Sequence, residues 1–347
     1  MKNIYVIVGG VAGGATAAAR LRRLDESSEI IVFEKGNYIS YANCGLPYYI
    51  GETIKDWDNL FVQTEESFES RFNVDVRLKN EVVSINREKK EIKVKDLVKN
   101  ELYTIKYDKL LLSPGAEPFK PNIPSIDDSR IFTLRNPEDT KKIKDYISLK
   151  NVKKAVVVGA GFIGLEMAEN LHNLGINVSI VELAPQVMPL VDFEIASEIH
   201  QHLKTKGVEF YLNDQVVSFL PEQLKIGLKL QSGREIYADM IILSIGVKPE
   251  NKLAKEAGLS LGNKGGILVN EYLQTSDENI YAVGDAIEGL NYLLNKNMII
   301  PLAGPANKQA RIAAYNMVYG NKIKYKGSIG SSVAKVFDLT VASCGLS

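Results

Sequence analysis

The chain has 347 residues, enough for two or three domains, and its 45% apolar content suffices for buried cores. Its 42 lysines and arginines balance 42 aspartates and glutamates, so neither nucleic acid nor an anionic membrane is an expected partner. The sequence has no run of 18 apolar residues, so we predict no membrane-spanning helix, and the N-terminal apolar run is too short for a signal peptide. With two cysteines a disulfide scaffold is unlikely, and we therefore expect a cytoplasmic protein.

The chain opens with a strand, a glycine-rich turn, a helix and a second strand that ends at an acid. The predicted elements are the strand Ile4–Val8, the turn Gly9–Gly14, a helix to about Leu24 and the strand Ile30–Phe33. Glu34 follows, 20 residues after Gly14. Glycines let the backbone approach a pyrophosphate, the helix start offers free N–H groups, and a carboxylate can bind a ribose diol. The pattern predicts a dinucleotide site, although Val11 replaces the middle glycine of the usual motif.

A lone cysteine, Cys44, follows in the segment ISYANCGLPYYIG, residues 39–51. The other cysteine, Cys344, is 300 residues away, and the sequence alone does not bring the two together. The residues after Gly45 predict a turn into a short helix, so we expect Cys44 at a helix N-terminus whose dipole lowers the thiol pKa. Taken by itself, such a cysteine is more often a small buried side chain than a reactive one.

A second unit of the same kind matches the glycine motif in full. Its predicted elements are the strand Ala155–Val158, the turn Gly159–Gly164, a helix to about Leu174 and the strand Asn177–Val181. Glu182 follows 18 residues after Gly164, and an acid there repels a 2′-phosphate, so we predict NADH rather than NADPH. Two dinucleotide folds predict two cofactors, and a flavin with a nicotinamide is the economical pair because hydride passes between their rings.

Together these motifs resemble the FAD-dependent pyridine nucleotide-disulfide oxidoreductases. The similarity is greatest to the single-cysteine branch: coenzyme A-disulfide reductases, rhodanese-fused persulfide reductases, and NADH oxidases and peroxidases. The resemblance covers essentially the whole chain. Further stretches carry it, namely LLLSPGAEP at 110–118, LRN around Arg135, ILSIGVKPEN around Gly246, TSDENIYAVGDA at 275–286 and IPLAGPANKQARIAA at 300–314.

The resemblance implies an α/β fold with two Rossmann-like domains arranged as in glutathione reductase. We expect an FAD-binding domain at 1–115 and 250–325, an NADH-binding domain at 116–249, and the incomplete start of a C-terminal interface domain at 326–347. Family enzymes are homodimers in which the partner contributes to each active site, so we expect a homodimer of the full-length protein.

The resemblance also implies site residues. The FAD set is Gly9, Val11, Ala12, Gly14, Glu34, Lys35, Asn43, Cys44, Val82, Ser113, Pro114, Gly115, Arg135, Asp285, Leu302, Ala303 and Gly304. The NAD set is Gly159, Gly161, Phe162, Ile163, Gly164, Glu182 and Gly246. Residues matching a coenzyme A channel are Thr16, Arg20, Arg23, Ser40, Asn43 and Arg71. No metal site is expected.

The implied reaction passes electrons from NADH through FAD to Cys44, the catalytic residue, and on to a coenzyme A disulfide or persulfide. Oxygen chemistry through a Cys44 sulfenic acid is the main alternative. Oxidases and peroxidases of the family carry a histidine in the first glycine turn, where this chain has Ala12, whereas Ser40, Asn43 and the CGLPY stretch match the coenzyme A-disulfide reductase pattern. An electron-delivery flavoprotein is a further alternative, and another small disulfide acceptor and a following rhodanese domain remain open.

Overall fold

The computed structural model describes residues 2–345. The chain divides into two compact units. Unit 1 comprises Met1–Tyr41, Phe61–Glu117 and Lys248–Gly330, and unit 2 comprises Ala42–Leu60, Pro118–Val247 and Ser331–Ser347. The assignment of one cofactor to each domain stays a prediction. No helix within residues 2–345 is long and apolar enough to cross a membrane.

The helices are short to medium in length. The α-helices of the described residues are α1 (Ala12–Leu24), α2 (Leu46–Ile50), α3 (Glu65–Phe72), α4 (Pro137–Lys150), α5 (Phe162–Asn173), α6 (Phe193–Thr205), α7 (Lys252–Glu256) and α8 (Ala303–Tyr319). Short 3₁₀ turns cover Asn43–Gly45, Trp57–Leu60 and Gly284–Ala286.

Unit 1 is built on a five-stranded parallel sheet. In spatial order its strands are Ile280–Ala282, Lys109–Leu112, Ile4–Val8, Glu29–Glu34 and Asp75–Leu78. An antiparallel meander contains Asn80–Asn86, Glu91–Asp96 and Glu101–Lys106, and a smaller mixed sheet contains Ile267–Leu268, Ile287–Asn291 and Lys296–Met298. The central strands are buried on both faces, which is why they read as continuous apolar runs rather than alternating ones.

Unit 2 repeats this arrangement. In spatial order its parallel sheet has the strands Glu209–Tyr211, Asn177–Val181, Lys154–Val158, Met240–Leu243 and Ile131–Phe132. An antiparallel meander contains Val216–Pro221, Ile226–Leu230 and Glu235–Ala238, and a hairpin, here the 331–344 hairpin, contains Ser331–Val336 and Leu339–Cys344. Two short strands, Ala116–Pro118 and Val247–Pro249, lie where the chain passes between the units.

The predicted elements of both dinucleotide motifs are present. The strand Ile4–Val8, the helix end at Leu24 and the strand Asn177–Val181 have the expected bounds, and α5 ends one residue before the expected Leu174. The predicted fold class, α/β with two Rossmann-like domains, is thereby supported, because each unit has a glycine turn between the central strand of its parallel sheet and the helix that follows that strand, as doubly wound sheets do.

Candidate active site

The first glycine turn is closed by backbone packing that leaves no room for a side chain at Gly9 or Gly14. Gly9 has φ +94°, and a Cβ there would lie 2.1 Å from the Ser113 carbonyl oxygen. At Gly14 a Cβ would lie 1.7 Å from the Gly9 oxygen. Val11 precedes α1 and caps it with no side-chain hydrogen bond, and no acid lies in the first helical turn. The N–H groups at this helix start are therefore available to an anion.

Glu34 is fixed against this turn by both carboxylate oxygens. One accepts a hydrogen bond from the Gly10 N–H at 2.9 Å and the other from the Gly36 N–H at 2.7 Å. Each carboxylate oxygen has a second lone pair, so a ribose diol can still donate to it. Lys35 pairs with Glu117 at 3.1 Å. These residues fit an FAD diphosphate and ribose in the predicted place.

The second turn has the same construction and one open position. Gly159 has φ +100°, and a Cβ there would lie 2.3 Å from the Ser244 carbonyl oxygen; a Cβ on Gly164 would lie 1.9 Å from the Gly159 oxygen. At Gly161 a Cβ would meet nothing within 4 Å. The Gly161 position therefore faces free space, which is what the approach of a pyrophosphate to the backbone requires.

Glu182 repeats the role of Glu34 at this second turn. Its oxygens accept from the Ala160 N–H at 2.6 Å and from the Ala184 N–H at 2.8 Å. The Ser244 hydroxyl, beside Gly159, is buried and has no hydrogen-bond partner within the described residues. Such an orphaned polar atom next to the turn fits a polar ligand there.

The strands that cover the two turns form an internal repeat that sequence reasoning missed. Ser113 donates its N–H to the Val8 oxygen at 2.8 Å, and Ser244 donates to the Val158 oxygen at 2.7 Å. The stretches LLLSPG and IILSIG, residues 110–115 and 241–246, align without a gap and could have shown the repeat. Gly246 lies at its end, as Gly115 does in unit 1.

The remaining predicted FAD residues of unit 1 lie at element ends or in a buried sheet. Asp285 is in a 3₁₀ turn whose Gly284 N–H donates to the Gln309 side chain of α8 at 2.8 Å. Leu302 precedes α8 without a side-chain cap, and a Cβ on Gly304 would meet nothing within 4 Å. Val82 is buried in the meander.

Arg135 and the first residues of α5 belong to unit 2. The Arg135 N–H donates to Asp139 at the start of α4. Phe162 and Ile163 open α5 directly after Gly161, and Ile163 is exposed. Cofactor contacts of these residues, like those of the rest of the set, remain predictions.

Cys44 lies in the 3₁₀ turn Asn43–Gly45, before the five-residue helix α2. Its side chain is exposed, yet partial desolvation by surrounding protein atoms, and secondarily the Glu166 carboxyl, raise the pKa of the thiol. The expectation of a lowered pKa is therefore wrong for the residues of this chain. A helix of one turn has a weak dipole, and desolvation and a nearby negative charge both disfavour the thiolate.

Two acids of α5, Glu166 and Glu169, influence the thiol site electrostatically, and the sequence analysis did not identify them. Burial, and then the Glu169 carboxyl, raise the pKa of Glu166 to about 7. Burial and these two acids raise the pKa of Tyr48 to about 12. Cys44, Tyr48, Glu166 and Glu169 are called the thiol cluster below. In the sequence, the only indication of this role was the position of Glu166, two residues after Gly164.

Neither cysteine is in a disulfide, and the histidines have partners of other kinds. Cys44 and Cys344 are both free, and the Cys344 sulfur lies 3.0 Å from the Ser331 hydroxyl. His200 accepts a hydrogen bond from the Val187 N–H. His172 and His202 contact the Phe337 ring.

Two of the predicted coenzyme A residues meet around one aromatic ring. The guanidinium groups of Arg23 and Arg71 lie 5.6 and 5.3 Å from the centre of Phe72. Neither has a carboxylate partner among the described residues. The buried Nε of Arg20 also lacks a hydrogen-bond partner. Arg22, in contrast, donates only to backbone carbonyls, including those of residues 25, 28 and 72, and so has a structural role.

The other predicted coenzyme A residues are spread over both units. Thr16 donates to the Asn307 side chain of α8 at 2.7 Å. Ser40 has φ +49° and donates its N–H to the Gly10 oxygen at 2.9 Å. Asn43 is exposed and belongs to unit 2 with Cys44.

Residues 4–310 match the model of the family described as pyridine nucleotide-disulphide oxidoreductase. The chain belongs to this family. The coenzyme A disulfide reductase of Staphylococcus aureus (strain bovine RF122 / ET3-1) is 37% identical over 341 residues, covering 98% of this chain and 76% of that protein. The family membership agrees with the predicted cofactors, FAD and NADH.

Two solved structures superpose on nearly the whole chain. Reduced CoADR-RHD of Bacillus anthracis is 52% identical with a TM-score of 0.97 and covers 100% of this chain. The NAD-dependent persulfide reductase of A. fulgidus is 37% identical with a TM-score of 0.95 and covers 99%. The chain spans 62% and 64% of the lengths of these two proteins.

Proposed function

We propose that this oxidoreductase uses NADH, FAD and Cys44 to reduce a disulfide or persulfide of the coenzyme A type. The observation that carries the proposal is the free, exposed Cys44, which has no cysteine partner in a chain that has two dinucleotide turns. A reductase with one thiol must form its disulfide with the substrate rather than within itself. The similarity to a coenzyme A disulfide reductase supports the same substrate class.

The thiol step follows from ordinary thiol–disulfide exchange. The Cys44 thiolate attacks one sulfur of the substrate disulfide, so that a Cys44–S–S–CoA bond forms and one coenzyme A thiolate leaves. When bound, FAD supplies the two electrons, taken from NADH, that cleave this mixed disulfide and release the second thiol.

The unpaired arginines support an anionic substrate. Arg23 and Arg71 present two guanidinium groups on Phe72, and guanidinium forks bind phosphates in two-point fashion. Coenzyme A carries three phosphate groups, which matches such a cationic patch in charge. The dinucleotides are assigned by unit: the turn at Gly9 to FAD and the turn at Gly159 to NADH. We further propose that the full-length protein is a homodimer.

The test is anaerobic NADH consumption with and without coenzyme A disulfide or coenzyme A persulfide. We expect turnover to need one of these substrates and to fall at least about 100-fold in Cys44→Ser, while Cys344→Ser, the matched control, keeps its rate. Near wild-type turnover of Cys44→Ser would exclude the mechanism. Consumption that needs oxygen and ignores coenzyme A disulfide would instead favour the oxidase alternative. Light scattering of the full-length protein tests the dimer.

A further inference from the structure

The 331–344 hairpin binds a buried acid of α5 through an ion pair and a backbone hydrogen bond. Glu169 has a side chain that is only 3% exposed. One of its oxygens accepts from the Lys335 ammonium at 3.2 Å, and the other accepts from the Phe337 N–H at 2.9 Å. Both oxygens of this carboxylate are thus bound by residues 335–337, and the ammonium supplies the compensating charge that a buried carboxylate needs.

The hairpin turn has further anchors that do not depend on this ion pair. The Phe337 ring packs edge-on against His172 of α5 and His202 of α6, at 5.3 and 6.2 Å between ring centres. Asp338 pairs with Lys206 and donates its N–H to the His202 ring. Loss of the Lys335 charge should therefore leave the hairpin in place.

Glu169 is connected to the thiol cluster along α5. It lies three residues after Glu166, so the two acids share one face of the helix. Burial and then the Glu169 carboxyl raise the pKa of Glu166, and burial and then the Glu166 carboxyl raise the pKa of the Cys44 thiol. Tyr48 of α2 feels both acids. The segment that contains Cys44 packs on this helix, since a Cβ on Gly51 at the end of α2 would lie 2.2 Å from Oδ1 of Asn170, the residue after Glu169. A change in the charge of the Lys335–Glu169 pair therefore changes the electrostatic environment on the side of α5 that faces α2.

Other charged groups lie on the elements packed against α2 and α5, but their partners differ. On α4, Lys144 binds Glu52 and the Tyr49 oxygen, and Lys141 lies over the Trp57 ring. Glu138 and Asp139 lie in the first turn of α4, where Asp139 accepts from the Arg135 N–H, and Lys142, Asp145 and Lys150 are exposed. The remaining groups in residues 51–60 are Lys55, Asp56 and Asp58, all exposed. The charges that raise the pKa of Cys44 and Glu166 are those of the two α5 acids.

We propose that Lys335 is a positioning residue for the Cys44 site, because its ion pair holds and neutralises the Glu169 carboxylate one helical turn from Glu166. The hairpin thereby limits the negative charge around the nucleophile. This inference rests on the proposed function only in giving Cys44 a purpose, since the ionisation of the thiol is a property of the protein itself.

The test is the rate of Cys44 alkylation by iodoacetamide as a function of pH, followed by mass spectrometry of the Cys44 peptide in the full chain. Lys335→Met should shift the profile to higher pH and slow alkylation about two- to threefold at a fixed pH below the thiol pKa. Glu169→Gln, which keeps an acceptor for the Phe337 N–H, should shift it the opposite way. Lys335→Arg should restore the wild-type profile.

Two controls come from the same samples. Lys324→Met breaks an exposed ion pair with Glu271 in unit 1 and should leave the Cys44 profile unchanged. The alkylation rate of Cys344, on the hairpin, should be unchanged in every variant if the hairpin stays docked. A wild-type profile for Lys335→Met, or shifts of the same sign for Lys335→Met and Glu169→Gln, would overturn the proposal. Because neither NADH nor coenzyme A is present, this outcome is independent of the turnover experiment.

Discussion

The Glu182 carboxylate accepts a 2.6 Å hydrogen bond from the Ala160 N–H. This bond links the end of the strand Asn177–Val181 to the glycine turn that follows the neighbouring strand Lys154–Val158. The acid is therefore held where the adenosine ribose of a dinucleotide would lie. A fixed negative charge there discriminates against a 2′-phosphate.

Glu182→Gln should relax the preference for NADH over NADPH. The amide keeps one acceptor oxygen for the turn but removes the charge, so we expect the ratio of kcat/KM values to change on the order of tenfold in favour of NADPH. Steady-state rates with both nucleotides measure it. Glu209→Gln, on the next strand, is the control and should leave the ratio alone. An unchanged ratio in Glu182→Gln would contradict the assignment.

Gly161→Ala and Gly159→Ala should separate binding from folding. Gly161 has open space at its Cβ position, so alanine there should leave Tm nearly unchanged while raising the KM for NADH, because the methyl group fills the approach to the turn. Gly159→Ala should lower the free energy of unfolding by about 3 kcal/mol or more, because φ is +100° and the Ser244 oxygen is 2.3 Å away. Thermal unfolding and NADH kinetics together check both. Equal losses of Tm in the two variants would contradict this reading.

Glu166→Gln should make Cys44 easier to ionise. Burial raises the thiol pKa most, and the Glu166 carboxylate adds to that effect. Removing this carboxylate shifts the thiolate fraction upward, so alkylation near pH 7 should be several-fold faster. The stability should change too. The folded-state pKa of Glu166 is raised, so its contribution to stability is full below the unfolded pKa and is lost as pH rises towards about 7.

The Tm difference between Glu166→Gln and the wild type should therefore grow in favour of the variant from pH 5 to pH 8. Calorimetry across that range measures it. Glu198→Gln, a solvent-side acid on α6, serves as the control. A difference that stays constant with pH would show that Glu166 titrates normally.

Gly51→Ala should destabilise the protein through a side chain rather than through the backbone. Gly51 has an ordinary φ of −80°, but a Cβ would lie 2.2 Å from Oδ1 of the fully buried Asn170. We expect a loss of about 1–3 kcal/mol in the free energy of unfolding. Adding Asn170→Ala should recover part of it, since that oxygen has no hydrogen-bond partner within the described residues and the variant loses only the bond from the Asn170 amide nitrogen to the Glu166 carbonyl. Denaturant unfolding of the four members of the cycle checks the coupling, and strictly additive losses would disprove it.

Arg71→Gln should raise the KM for coenzyme A disulfide and leave the KM for NADH unchanged, because Arg71 lacks an acidic partner among residues 2–345. A weakening of about three- to tenfold is expected, and less at high salt. Arg22→Gln is the matched contrast: it should lower Tm, since Arg22 donates to several backbone carbonyls. An equal rise of both KM values in Arg71→Gln would place this arginine outside the substrate site.

Features built from residues close in sequence were predicted well, and features built from residues far apart in sequence were predicted poorly. The strands, glycines and acids of both turns follow from spacing along the chain, because βα units are made of neighbouring residues. The acidic cluster at Cys44 does not. It forms because residues 42–60 join the unit that contains α5, more than 100 residues later, and no local pattern records that packing. The thiol pKa was predicted with the wrong sign because burial and Glu166 outweigh a one-turn helix.

Ser113 and Ser244 occupy equivalent positions, each directly after a strand of its parallel sheet, so the glycine turns of the two units can be compared residue by residue. In each unit the serine carbonyl lies against the first glycine of the turn, Gly9 or Gly159. The last glycine of the turn, Gly14 or Gly164, packs against that first glycine. We therefore expect substitutions at Gly159, Gly164 and Ser244 to rank, by their effect on stability, in the same order as substitutions at Gly9, Gly14 and Ser113. A library screened in one half of the molecule can thus be read as a map of the other.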